Sequence, residues 1–120
     1  MLNLDTHILI HAVSGLLTHA ERDVLAAEEW GISDIVLWEI EMLHARGRIA
    51  FGLDRPPLAD ALRRVKIWPI TPEICLKLRG LDFHSDPADE IIAATSLAHD
   101  VPLVTRDARI RHSKLVRFCL

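Results

Sequence analysis

Short stretches of apolar residues alternate along the chain with longer segments in which apolar positions recur at helical spacing. The short stretches predict five β-strands, at Leu2–Leu4, 31–33, 65–70, 103–105 and 115–118. The longer segments predict six helices, at 6–13, from 18 toward 30, at 35–46, 58–64 and 72–80, and from 87 onward. Strands that alternate with helices in this way predict an α/β fold.

Capping residues indicate where several of these helices begin. Thr18 followed by Glu21 has the spacing of a capping box. Asp34 is predicted as the N-cap of the helix that follows it. Asp86 is predicted as another N-cap, because Pro87 suits the first position of a helix.

Helices between the strands imply crossover connections, so we expect a parallel sheet of about five strands with helices on both faces. Ligand sites in such sheets lie at the carboxyl ends of the strands. Asp5 and Asp107 each come directly after a predicted strand and are therefore expected at that edge. A chain of 120 residues is too short for two domains of ordinary size, so residues 1–120 are treated as a single domain.

Glu39 falls on the apolar side of its predicted helix. At about 100° per residue it lies between Ile35 and Leu43, with Trp38 also on the apolar side and Glu41 pointing away from it. An ionised carboxylate directed into a core costs several kcal/mol unless something compensates it. Two interpretations are open: the Glu39 stem packs while its carboxylate meets an arginine, or the carboxylate is directed at a metal ion or a shared proton.

Two more acids lie near the start of the helix from 87 onward, and each has an ordinary explanation. Asp86 suits an N-cap, and Asp89 in the first turn suits the helix dipole. Together with Asp5, Asp107 and Glu39, however, they form a set of acids. The segment between positions 79 and 106, which contains Asp86 and Asp89, has no Lys or Arg that could neutralise them. A carboxylate cluster without His or Cys partners suits a hard cation such as Mg²⁺ or Mn²⁺, and a phosphate ester is its natural substrate.

Composition and charge narrow the class of protein. Half of the residues are apolar and 26% are charged, and the net charge of -3 lacks the excess of positive charge typical of nucleic-acid-binding proteins. No apolar run exceeds four residues and no Lys or Arg precedes Arg22, which argues against a membrane span and a secretory signal. We expect a cytoplasmic protein with both cysteines reduced. The basic residues from 106 to 117 predict a basic rim beside an acidic pocket, or simply two solvated faces.

Four motifs follow one another along the chain: Leu4-Asp5-Thr6-His7, Leu37-Trp38-Glu39-Ile40, the run from His84 to Thr95, and Leu103-Val104-Thr105-Arg106-Asp107. In this order and spacing they resemble the motifs of the PIN-domain ribonucleases, and more narrowly those of the VapC toxins of bacterial toxin–antitoxin pairs. The resemblance covers essentially the whole chain. It implies a PIN-like three-layer fold with a sheet of about five strands.

The resemblance also implies a site and a reaction. It implies a site for Mg²⁺ or Mn²⁺ formed by four acids and supported by three further residues: Asp5, Glu39, Asp89 and Asp107, with Thr6, Thr105 and Asp86. The implied reaction is endonucleolytic hydrolysis of RNA by a metal-activated water, leaving 5′ phosphate and 3′ hydroxyl ends. The implied partners are RNA, a cognate antitoxin and a second copy of the chain, with operator DNA contacted only through the antitoxin.

Several alternatives stay open. A catalytically inactive PIN-like module that binds RNA or protein is the main one, although such modules typically lack one or more of the acids. A phosphotransferase of the haloacid-dehalogenase type needs a second acid where His7 stands. A receiver-like domain needs a lysine at the end of a late strand, where this chain has Arg106. A zinc site at His7 and His11 lacks an accompanying HExxH motif or cysteine pair. Glu90 and Glu41 depart from the residues usual in VapC toxins at those positions.

Overall fold

The computed structural model describes all residues from 1 to 120. The centre of the molecule is a sheet of four parallel strands. The strands lie in the order β3-β2-β1-β4, and their bounds are β1 (Leu2–Leu4), β2 (Trp30–Ser33), β3 (Lys66–Trp68) and β4 (Leu103–Val104). In register, Asn3 of the central strand β1 lies opposite Gly31 on one side and Leu103 on the other.

Seven helices and one 3₁₀ turn connect and cover the strands. Their bounds are α1 (Thr6–Ser14), α2 (His19–Ala26), α3 (Ile35–Ala45), α4 (Pro56–Leu62), α5 (Pro72–Lys77), the 3₁₀ turn (Leu78–Gly80), α6 (Pro87–His99) and α7 (Ala108–Arg111). The predicted α/β fold with a parallel sheet is confirmed, with four strands where about five were expected. None of the helices has the length and apolar character needed to cross a membrane.

The central strand shows that helices cover both faces of the sheet. Successive side chains of a strand point to opposite faces. Leu2 and Leu4 therefore share one face while Asn3 points to the other, and all three are fully buried. Leu2 and Leu4 belong to a single core of 17 buried apolar residues, drawn from the strands and from most of the helices.

The last predicted strand is wrong as an extended strand, because it forms only one parallel bridge, between Leu103 and Phe118. The segment before the bridge is folded into a turn around a serine. The Ser113 hydroxyl accepts hydrogen bonds from the backbone amides of Leu115 and Val116, both at 3.2 Å. Amides engaged in this way cannot pair with β4, so the sheet ends at a short edge.

One prediction for α3 is confirmed in position and another is wrong. Asp34 is the N-cap of α3, but it has helical backbone angles (φ −63°, ψ −19°) and its side chain makes no capping bond, while the Ser33 hydroxyl accepts from the Ile35 amide at 3.2 Å. Trp38 is 53% exposed rather than directed at the core. The buried side of the helix is formed by Val36 and Ile40, and Trp38 lies on the opposite side.

Glu21 links two distant parts of the chain. The predicted capping box is confirmed: the Glu21 amide donates to the Thr18 hydroxyl at 3.1 Å, and the Thr18 amide donates to the Glu21 carboxylate at 2.9 Å. The same carboxylate is buried and accepts two hydrogen bonds from the Arg106 guanidinium, at 2.6 and 2.7 Å. These bonds hold the pKa of Glu21 at about 2. They fix the start of α2 to the segment that follows β4.

Replacing this carboxylate should destabilise the protein in a pH-dependent way. We expect Glu21→Gln to lower the free energy of unfolding at pH 7 by about 2 kcal/mol, because charge-assisted hydrogen bonds to a buried group are lost. Since the pKa of Glu21 is depressed in the folded state, its contribution is present above the usual value and is lost as the pH falls toward 2. Urea denaturation at pH 7 and at pH 2.5 should therefore show a difference that narrows in acid.

Asp60→Asn is the matched control for this experiment, because Asp60 and Arg63 form an exposed pair at 3.8 Å. Exposed pairs contribute little to stability, so this variant should unfold like the wild type. Equal effects of Glu21→Gln and Asp60→Asn at pH 7 would contradict the structural role of Glu21.

Candidate metal centre

Asp5 lies at the carboxyl end of β1 and is the N-cap of α1. Its side chain is only 4% exposed, and both of its carboxylate oxygens accept hydrogen bonds. One accepts from the backbone amide of Thr6 at 2.8 Å, and the other from the hydroxyl of Thr105 at 2.6 Å. Burial nevertheless raises the pKa of Asp5, and the nearby charge of Asp107 adds to that rise.

Glu39 is half-buried on α3 and is directed toward Asp5 rather than toward an arginine. Its carboxylate accepts a hydrogen bond from the Thr6 hydroxyl. Burial raises the pKa of Glu39, and the charges of Asp5 and Asp86 raise it further. No basic side chain pairs with it, so the interpretation in which the carboxylate meets an arginine is wrong. Glu41, two residues along the helix, is exposed as the sequence predicted.

Asp89 is half-buried in the first turn of α6 and accepts a hydrogen bond from the Ser85 hydroxyl at 2.7 Å. The pKa of Asp89 is raised to about 6, chiefly by burial and then by the charges of Asp5, Asp107 and Glu39. The charges that act on Asp89 are therefore those of the other three predicted acids.

Asp107 is also at a helix start, although the sequence predicted only a loose turn there. It is the N-cap of α7, and its carboxylate accepts from the amides of Arg109 and Ile110 at 2.9 and 3.1 Å. Its own amide donates to the Thr105 hydroxyl at 3.0 Å. Because that hydroxyl in turn donates to Asp5, a chain of hydrogen bonds joins Asp107 to Asp5.

The supporting residues fall into two groups. Thr6 and Thr105 are buried, and each donates its hydroxyl to one of the acids. Asp86 is exposed at the predicted N-cap position of α6, but its side chain makes no capping bond. Nearby, the amide of Ser85 donates to the Glu90 carboxylate at 3.2 Å. Sequence analysis missed Ser85, which lies four residues before Asp89.

The donor chemistry of this cluster fits a hard divalent cation. Asp89 is influenced electrostatically by the other three acids and Asp5 by Asp107, and the hydrogen bonds that the four accept come from hydroxyl and amide groups rather than from basic side chains. Oxygen ligands of this kind are those that Mg²⁺ and Mn²⁺ prefer. No three His, Cys, Asp or Glu side chains are arranged as a ready coordination sphere. The fit is therefore one of donor chemistry and not of preformed coordination geometry.

The predicted basic rim is smaller than the sequence indicated. Arg106 is engaged with a buried glutamate, as described above. Arg111 donates to two backbone carbonyls and lies over the ring of Phe118 at 5.2 Å, and Arg117 pairs with Asp100 at 3.0 Å. Of the predicted rim cations, Arg109 and Lys114 have no side-chain partner, and the same is true of Arg46 and Arg48 just beyond the end of α3.

Comparison with known proteins assigns the chain to a family. The family model described as the PIN domain matches residues 3–114, which include all four acids. The chain belongs to the PIN-domain family. Among PIN-domain relatives it is 30% identical to the ribonuclease VapC22 of Mycobacterium tuberculosis, over 90% of this chain and 88% of that protein.

Solved structures share the PIN fold with this chain. VapBC2 from Rickettsia felis, solved with a DNA fragment from its promoter, superposes with a TM-score of 0.77 at 18% identity, over 99% of this chain and 98% of that one. A toxin–antitoxin complex from Klebsiella pneumoniae superposes with a TM-score of 0.66 at 24% identity, over 91% and 88% of the two chains. The structural similarity to these two chains confirms the PIN-like fold predicted for this chain.

The raised pKa of Asp89 predicts that this residue destabilises the metal-free protein at neutral pH. A carboxyl whose pKa rises to about 6 on folding lowers the free energy of unfolding as the pH rises from about 4 to 6. Asp89→Asn should therefore be more stable than the wild type at pH 7.5, by about 1 kcal/mol after allowance for the exposed half of the side chain. The difference should vanish near pH 3.5. Thermal melts in chelator at the two pH values measure it.

Asp86→Asn is the matched control, since it removes one charge three residues away from an exposed side chain without a capping bond. It should change the melting temperature much less than Asp89→Asn. A metal-free Asp89→Asn variant that is less stable than the wild type at pH 7.5 would show that this acid is not held against other carboxylates.

Proposed function

We propose that this protein is an endoribonuclease dependent on Mg²⁺ or Mn²⁺ that acts as the toxin of a toxin–antitoxin pair. The observation that carries the proposal is the convergence of Asp5, Glu39, Asp89 and Asp107, with raised pKa values at the first three and no basic partner for any of them. Membership of the PIN-domain family and the similarity to a ribonuclease VapC support the same conclusion.

The four acids would hold the cation, each from a different element of the fold. When bound, a divalent cation neutralises charge on a phosphodiester and lowers the pKa of a water molecule. Asp5 is oriented for this task by Thr105 and by the Thr6 amide, and Glu39 by the Thr6 hydroxyl. The two threonines thus fix the directions of two carboxylates that would otherwise turn apart.

RNA is negatively charged, so it can bind at this acidic site only if positive charge offsets the carboxylates. A cation held by the acids reduces that charge locally, and the unpaired basic residues of the rim would contact backbone phosphates. Arg109 is the nearest of them along the chain to an acid of the site, because it follows Asp107 by two residues. Arg46 and Arg48 follow the end of α3, the helix that carries Glu39.

A protein antitoxin is the proposed partner. The similar structures from Rickettsia felis and Klebsiella pneumoniae were solved as toxin–antitoxin assemblies, one of them on promoter DNA. For this chain we propose a cognate antitoxin that brings a basic side chain to the acidic site, and contact with operator DNA only through that antitoxin. A homodimer in the cytoplasm is the proposed state of the toxin.

Cleavage of RNA should depend on both the cation and the acids. Purified protein should cleave mixed RNA with Mg²⁺ or Mn²⁺ and not in chelator, and Asp5→Asn and Glu39→Gln should each lower the rate by about 100-fold or more, since even residues behind a metal ligand can cost that much. Glu41→Gln is the matched control, because Glu41 is exposed on the same helix as Glu39. Equal cleavage in chelator would rule out the metal mechanism. A binding module would give no cleavage in any of these conditions.

Toxicity should require the same carboxylates. Expression of the wild type in a bacterial host should arrest growth, and expression of Asp5→Asn at the same level should not. Immunoblots establish that the two proteins accumulate equally, and co-expression of the antitoxin should restore growth of cells with the wild type. Equal growth arrest by both proteins would mean that toxicity does not come from catalysis.

A further inference from the structure

Asn3 is a fully buried polar residue in the middle of the central strand β1, between Leu2 and Leu4. Its side-chain amide group donates two hydrogen bonds to α6. One reaches the backbone carbonyl of Ile92 at 3.0 Å, and the other reaches the hydroxyl of Ser96 at 2.9 Å. These are the side-chain hydrogen bonds that tie β1 to α6.

The side-chain oxygen of Asn3 is buried and has no hydrogen-bond partner. A buried acceptor left unpaired is unfavourable, and a leucine, whose side chain has the same four-atom branched shape, would occupy this position without that penalty. The sheet face around it is otherwise packed by helices, so an apolar residue would suit the position. Stability alone therefore does not account for an asparagine here, and the two hydrogen bonds to α6 need another explanation.

The two hydrogen bonds join the strand that leads to Asp5 to the helix that carries Asp89. Asp5 follows Asn3 by two residues on one side of the link, and Asp89 precedes Ile92 by three residues on the other. More than 80 residues separate the two acids along the chain, so their spacing is set by how α6 docks on β1. Burial and mutual repulsion act against bringing these carboxylates together.

We infer that Asn3 is a positioning residue that fixes Asp89 against Asp5 for cation binding. The inference rests on the proposed metal-dependent function. Side-chain donors behind a metal site commonly set ligand geometry, and their loss weakens metal binding by about 10- to 100-fold. Asn3 differs from such donors in one respect, since it holds the helix that carries the ligand and not the ligand itself.

The test compares Mn²⁺ binding in three variants by calorimetry, with melting temperature in chelator and RNA cleavage as further measurements. Asn3→Leu should bind Mn²⁺ at least about tenfold more weakly than the wild type, while its metal-free melting temperature stays equal or rises. Ser96→Ala removes one of the two acceptors and should weaken Mn²⁺ binding by a smaller factor. If Asn3→Leu does not fold, the Mn²⁺ affinity of Ser96→Ala alone tests the inference.

Thr95→Val is the matched control, because Thr95 is fully buried on α6 but donates only to Ile91 of its own helix, at 2.8 Å. It should bind Mn²⁺ as the wild type does. Binding by Asn3→Leu and Ser96→Ala as tight as that of the wild type would overturn the inference, and so would an equal loss in Thr95→Val. A wild type that neither binds Mn²⁺ nor cleaves RNA would overturn the proposed function, and this inference with it.

Discussion

The burial and mutual repulsion of carboxylates gathered at one edge of the sheet are the constraint on which the rest of this structure depends. Parallel strands place Asp5 and the segment leading to Asp107 at the same edge, and α3 and α6 bring Glu39 and Asp89 to them. Three of these acids stand at or near helix N-termini, where the helix dipole favours negative charge. That help is incomplete, because the pKa of Asp89 is still raised to about 6.

Hydroxyl groups, and not basic side chains, hold three of the four acids in place. Thr6, Thr105 and Ser85 each donate to one carboxylate. The nearest arginine in the motif, Arg106, is instead directed to the buried Glu21. A guanidinium inside the cluster would cancel part of its negative charge permanently and lower its affinity for a divalent cation. Hydroxyl donors keep the geometry while leaving the negative charge available for the proposed cation.

The parts of this structure that the sequence predicted are those set by periodicity and chain order. Parallel strands and the inward direction of Glu39 follow from local patterns and are confirmed. The predictions that fail concern which hydrogen bonds form. Asp34 and Asp86 stand at the predicted N-cap positions, yet neither side chain makes a capping bond, and beside Asp34 the Ser33 hydroxyl accepts from the Ile35 amide. The roles of the three hydroxyl donors could not be found from spacing, since Thr105 lies 100 residues from its acceptor on Asp5.

The central claim is that the raised pKa values and the affinity for a cation have the same cause. At a pH near or below the raised pKa values, a cation that binds this cluster must displace the proton that burial and repulsion retain on it. Calorimetric titration of the wild type with Mn²⁺, in two buffers of different ionisation enthalpy, measures the number of protons released. With a pKa of about 6 at Asp89, binding at pH 6 should release about half a proton from that residue, and binding at pH 8 almost none from it. Binding at pH 6 with no proton release, or no binding at all, would contradict the account.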